Sequence, residues 1–130
     1  MSHTYTIDTV DALDRTLSHT PVDQAQVADA SPTVGHTALF TVGGDSADET
    51  CTATWQIGIW EMSAGAMYDV EVDEVFVVLR GDAEIAVLDA SGLVAESIPL
   101  RPGVVCRLHA GTRTRWTVRR ALRKMYISAS

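Results

Sequence analysis

The chain has little of what marks a disulfide scaffold, a zinc module or a membrane protein. Its 130 residues include two cysteines, Cys51 and Cys106, with no CxxC or CxxH spacing between them. Two reduced, buried thiols are expected rather than a bridge or a zinc site. No apolar run approaches the roughly 20 residues needed to cross a bilayer. The opening "MSHTYTIDTVDALDR" lacks the basic start and apolar centre of a signal peptide, so a cytoplasmic protein without membrane contact is expected.

Acid is missing from one end. Residues 101–130 carry eight bases and no acid, whereas residues 1–100 carry every acid and only Arg15 and Arg80 as bases, for a net charge of -7. A basic tail on an acidic body can mark a nucleic-acid partner. Here the alternation in "RTRWTVRR" places Arg113, Arg115 and Arg119 on one strand face, to lie beside acidic strands such as the Asp69–Glu74 segment. Aromatics make up 6% of the chain and form no stacking platform, and there is no recognition helix, so no nucleic-acid partner is expected.

What remains is a single domain of short apolar strands. Val10, Leu13 and Leu17 in "DTVDALDRTLS" recur at helical spacing and predict a short helix over residues 8–18, ended by Pro21. Residues 19–35 are polar and read as an irregular lead-in, and "GGDSADET" as a turn-rich loop. After Cys51, strand-like runs alternate with turn signals: "TATWQIGIWEM", "MYDVEVDEVFVVL", "AEIAVLD", "LVAESIPL", "VVCRL", "TRTRWTV" and "LRKMYIS". Strands at this spacing, parted by Gly, Pro, Asp and Ser, predict an all-β sandwich or barrel. No nucleophile elbow surrounds Ser63 or Ser97, and "GGDS" lacks the lysine of a phosphate loop.

The punctuation of residues 65–118 resembles that of cupins. Glu74 is followed by six residues and Gly81, as the first cupin motif, G-x5-H-x-H-x3,4-E-x6-G, ends. Gly103 is followed by five residues and "HAG", as the second, G-x5-P-x-G-x2-H-x3-N, begins. "DEVFVVLRGDAEI", "LRPGVVCRLHAGTRTRWTV" and "RKMYI" are similar to small single-domain cupins of the ethanolamine-utilisation and ureidoglycine aminohydrolase kind. The resemblance implies a jelly-roll barrel over residues 49–130. Residues 1–48, the short helix and extended lead-in, would pack on it or on a dimer partner. It also implies where a metal would sit, and there the sequence departs from the family. The histidine positions fall on Tyr68, Val70 and Thr114, the proline position falls on His109, and only Glu74 keeps a ligand type. A one-residue shift after Gly65 would offer Asp69, and a further shift Glu71 and Asp73, but no histidine. One carboxylate among such side chains holds a first-row metal poorly, so no metal and no other cofactor is expected. Glu71, Asp73 and Glu74 are the residues from which a weak site could be made.

In a cupin barrel the ligand positions point inward, and strand alternation extends that to their neighbours. The resemblance therefore implies that Tyr68, Val70, Glu74, Phe76 and Val78 face the interior with Thr114, Trp116 and Val118, while Asp69, Glu71 and Asp73 face out. Trp60 on the preceding strand either packs in the core or lines the cavity. The expected ligand-binding set is Trp60, Tyr68, Val70, Glu74, Phe76, Thr114 and Trp116, around a small organic ligand with one or two polar handles. Glu74, buried beside Phe76 and Trp116, is the candidate general acid or base, with Tyr68 or His109 assisting. Glu74 as a structural carboxylate and His109 as a solvated turn residue are the alternatives. Three functions stay open: a metal-independent small-molecule binder, an enzyme of proton transfer such as a hydrolase or isomerase, and a structural or sensory dimer. A homodimer would cover Val75, Val77 and Leu79.

Overall fold

The computed structural model describes residues 5–43 and 53–129; Cys51, His3 and most of the "GGDSADET" loop lie outside them. Within these residues the chain forms nine strands and no helix: β1 (Thr20–Pro21), β2 (Val27–Asp29), β3 (Thr33–Gly43), β4 (Thr54–Met62), β5 (Gly65–Val70), β6 (Glu74–Leu88), β7 (Val94–Leu100), β8 (Val105–Leu108) and β9 (Arg113–Ala129). No helix among them is long and apolar enough to cross a membrane.

All described strand pairs are antiparallel, and β6 and β9 are the frame to which the others attach. The first half of β6 pairs with the second half of β9, from Glu74↔Ser128 to Val78↔Lys124, and the second half of β6 with the first half of β9, from Ala83↔Val118 to Val87↔Thr114. Between these halves the register slips repeatedly at Arg80–Asp82, and Gly81 adopts φ 109° with the Ala121 carbonyl where a β-carbon would stand. A bulge of this kind bends and twists a long strand, and only glycine fits it without strain. "RGD", which reads as a hairpin turn in the sequence, is therefore a bend within one strand, and "TRTRWTV" and "LRKMYIS" are two halves of another.

Bending lays one half-sheet (β1, β3, β4, β9 end, β6 start, β8) against the other (β2, β5, β9 start, β6 end, β7). The core between them includes Met62, Met67, Phe76, Ile85, Leu100, Trp116, Leu122 and Tyr126. Trp116 bridges the halves, its ring centroid 5.4 Å from Trp60 on β4 and 5.7 Å from Phe76 on β6. This is an all-β, curled antiparallel barrel, the architecture that the sequence predicts.

The N-terminal helix is not formed. Residues 12–14 make one turn in which Asp11 Oδ1 accepts from the Leu13 and Asp14 amides. Two carbonyls that a helix would use internally instead accept from the barrel: Arg123 Nη1 donates to Ala12 O at 2.9 Å and Arg80 Nη2 to Leu13 O at 2.8 Å. The segment is a strap held by arginines, and spacing alone does not outweigh that tertiary competition. Nor is the lead-in irregular, since β1, β2 and the start of β3 all lie within residues 19–35.

Candidate functional site

Which side chains enter the barrel follows from pairing. Directly opposed residues of an antiparallel pair lie on the same face, and β9 sends Thr114, Trp116 and Val118 inward, all buried. Their partners on β5 are Asp69, Met67 and Gly65, whereas Tyr68 and Val70 oppose Arg115 and Arg113. Tyr68 and Val70 accordingly face out, 44% and 60% exposed. The expected inward placement of those two is corrected, and with it the outward placement of Asp69 and Glu71. The run "MYDVEVDEVFVVL" is two strands, broken at Glu71–Asp73, so parity cannot be counted through it from Glu74. Asp73 does face out, paired with Arg107 at 3.1 Å. Of the aligned arginines, Arg115 lies over the Tyr68 ring and Arg119 pairs with Asp82 at 2.9 Å.

Glu71 is the inward carboxylate that parity counting misses. It is 8% exposed, and its Oε2 accepts from Thr114 Oγ1 at 2.6 Å and from Trp116 Nε1 at 2.9 Å. The Glu71 amide donates to Thr112 O and its carbonyl accepts from Gly111, which pins the break between β5 and β6 to the turn before β9. Asp69, one inward position earlier, has its carboxyl pushed up by burial and by the neighbouring Glu71 charge, against the pull of the Val70 amide and Lys124.

Lys124 is the other residue the basic-tail interpretation conceals. It is the only lysine in the chain, beside nine arginines, and it shares its face of β9 with Leu122 and Tyr126. Its side chain is 6% exposed and its Nζ donates to Glu74 Oε2 at 2.6 Å. The same nitrogen lies 4.4 Å from the ring centroid of Phe76, 4.8 Å from Trp116 and 4.9 Å from Trp60. An ammonium taken from water needs such compensation, here one short charge-assisted hydrogen bond and three aromatic faces. Glu74, Phe76, Thr114, Trp116 and Trp60 thus do gather inside the barrel, and the three aromatic ones are packed around a cation.

Beside this cluster the barrel interior opens outward through a cavity of about 250 Å³, walled by Ile85, Ile98, Cys106, Leu108 and Thr114, with the exposed Glu96, Arg107 and His109 at its rim. Cys106, a free thiol among the described residues, is pushed up by burial; Lys124 pulls it down, and Glu71 and Glu74 push it further up. The charged cluster adjoins this wall, because Leu108 and Cys106 on β8 are the register partners of Glu74 and Phe76 on β6. Tyr126 is likewise raised by burial and by Glu74. Tyr68 and Val70 border a second, open groove of about 430 Å³ with Gln26, Leu88 and Arg113, which Asp69 and Thr114 also line.

The metal site implied by the cupin motifs does not fit these side chains. Glu74 is engaged by Lys124, Glu71 by Thr114 and Trp116, and Asp73 by Arg107, so the three acids turn to different partners. No three His, Cys, Asp or Glu among the described residues gather where they could hold an ion.

Comparison with known proteins agrees with this architecture. The EutQ protein of Clostridium difficile superposes with a TM-score of 0.62 at 17% identity, covering 93% of this chain and 85% of its own. An ethanolamine-utilisation protein Q from Salmonella typhimurium gives 0.53 at 17% identity, covering 88% and 94%. The polyketide cyclase RemF of Streptomyces resistomycificus gives 0.59 at 12% identity, covering 95% and 80%. At these identities the likeness is one of fold. No curated relative matches the chain. The model of the EutQ-like cupin domain matches residues 48–126, from the approach to β4 almost to the end of β9, and the chain belongs to that family.

Proposed function

We propose that this cupin binds a small organic ligand in its interior cavity without a metal. The observation that carries the proposal is the cavity wall itself. Cys106 and Thr114 border a space of about 250 Å³, and Thr114 hands that space on to the buried Glu71 carboxylate. Ligand pockets for drug-sized molecules run to roughly 300–1,000 Å³, so the occupant is a small metabolite. Apolar Ile85, Ile98 and Leu108 would hold its body, with Thr114, Cys106 and His109 offering the polar contacts. Glu74 serves the site through Lys124. An enzyme using Glu74 as general acid or base would first have to release it from that partner, so binding is the reading favoured over catalysis.

The cover for the outer strands is a second copy of the chain. Val75 and Ile127 are half-exposed and Val105 more so, and with Trp55 they edge apolar grooves on the outside of the barrel. Light scattering is expected to report a dimer that Val105→Glu converts to monomer.

The ligand proposal is tested in a Cys51→Ala background, where Cys106 reports on the cavity. Small carboxylic acids, amines and polyols are screened for a rise in melting temperature and for slowing of Cys106 alkylation. A ligand should do both in the wild-type cavity and in neither case act on a Cys106→Phe variant, whose melting temperature alone is read. If no compound protects Cys106 and Cys106→Phe only stabilises, the cavity is unused core space and the proposal fails.

A further inference from the structure

We infer that Lys124 is a tethered cation that fills the place a metal would take in this barrel. Three carboxylates enter the barrel from this region, Asp69, Glu71 and Glu74, and Glu74 is the one that meets a base, the Lys124 ammonium at 2.6 Å. Around Nζ stand the rings of Phe76, Trp116 and Trp60, with centroids 4.4, 4.8 and 4.9 Å away, and the Lys124 side chain is only 6% exposed. Nothing in that shell is left open, as a catalytic metal requires for its substrate or water. The cation is closed off, and ligand chemistry takes place beside it.

Residue choice supports this. The chain uses arginine at nine of its ten basic positions and lysine once, at this buried position. A compact ammonium on a flexible stem can stand among three ring faces, where a planar guanidinium with five donors would leave donors unpaired. The interior has need of a positive charge. Asp69, Glu71 and Glu74 all enter the barrel from the β5–β6 region, and Lys124 is the base paired with one of them, with the side chains of Glu74 and Lys124 12% and 6% exposed. Being covalent, this cation cannot dissociate, so the barrel has no metal-free state to populate and no dependence on metal supply.

The inference rests on the metal-independent part of the proposed function, and its test separates the two. In Lys124→Ala, which lacks the side chain from Cγ to Nζ, the melting temperature should fall by about 10 °C or more, as for a broken buried pair. Added n-propylammonium, which matches the missing atoms, should restore much of that loss at millimolar concentration and leave wild type unmoved. Glu74→Gln/Lys124→Met, which removes both charges together, should be markedly more stable than Lys124→Met alone. Single variants as stable as wild type, or no recovery in either the rescue or the double variant, would overturn the tethered cation and leave ligand binding standing. Should the single variants not fold, the unaltered protein decides. Its lysine should resist acylation in the native state and react once unfolded; reaction at the rate of a free lysine side chain overturns the inference. A metal bound one per chain at Glu74 would defeat both this inference and the metal-independent reading.

Discussion

Gly58 and Tyr126 are register partners on β4 and β9, and the Tyr126 ring lies across Gly58 in the space where a β-carbon would project. The glycine is a packing requirement, set by how closely an inward aromatic must approach the neighbouring strand. The Thr37 carbonyl on β3 closes the same space from the other side. Gly58→Ala therefore has no room to relax and should cost about 1–3 kcal/mol, the usual penalty for overpacking a core. Denaturant unfolding measures it, and Gly58→Ala/Tyr126→Leu should regain part of the loss.

Glu71 binds the two halves of the site, because its Oε2 takes hydrogen bonds from both Thr114 and Trp116. Thr114→Val removes one bond to a charged acceptor and should cost about 1.5–3 kcal/mol. Glu71→Ala leaves two buried donors unpaired and should cost more, with the Trp116 fluorescence altered. If Thr114→Val is silent in both stability and fluorescence, the Glu71 carboxylate is not seated as described.

Asp69 gives the interior a pH dependence. Its carboxyl is raised by burial and by Glu71, so the folded state binds the proton more tightly than the unfolded one. The charged form consequently costs stability above the folded value, and the cost vanishes once the pH falls below the ordinary value of 3.8. Asp69→Asn keeps an acceptor for the Val70 amide, which lies 2.8 Å from Oδ1. It should raise the melting temperature at pH 7 and converge with wild type near pH 3.5. A gain that persists unchanged in acid would contradict this assignment.

The strap should loosen in acid for the opposite reason. Burial pushes Glu61 up, but the hydrogen bonds from Arg123 and His19 outweigh it and hold the carboxyl below its ordinary range. The stability it contributes is present above about 4.5, the ordinary value, and is lost as the pH falls through the lower folded value. Arg123 joins Glu61, at 2.8 Å, to the Ala12 carbonyl. Arg123→Met should cost about 3 kcal/mol. Amide exchange should speed up first in residues 12–19, ahead of β6 and β9.

Particular residues show why part of this structure is legible in the sequence and part is not. Glu74, Phe76 and Val78 alternate inward on β6, and Thr114, Trp116 and Val118 on β9, because each set lies within one uninterrupted stretch of strand. Tyr68 and Val70 stand at the histidine positions of the cupin motif, and the strand stops at Glu71–Asp73 between them and Glu74, so motif spacing and the alternation drawn from it put Tyr68, Val70, Asp69 and Glu71 on the wrong face. Their orientation is fixed by pairing with β9, a contact between residues more than 40 positions apart. Lys124 carried a local signal, a lone lysine on the apolar face of "LRKMYIS". That signal is masked by the charge of the segment around it, which has eight bases and no acid and reads as a solvated face. The predicted helix failed because Arg80 and Arg123, far along the chain, take its carbonyls.

The most direct measurement is the metal content of protein purified without chelator. With Lys124 on Glu74 and no competent set of donors among the described residues, iron, manganese, nickel and zinc should each fall well below one atom per chain, and chelator should leave the melting temperature unchanged. About one transition-metal ion per chain, lost in Glu74→Gln, would contradict a barrel that carries its own cation.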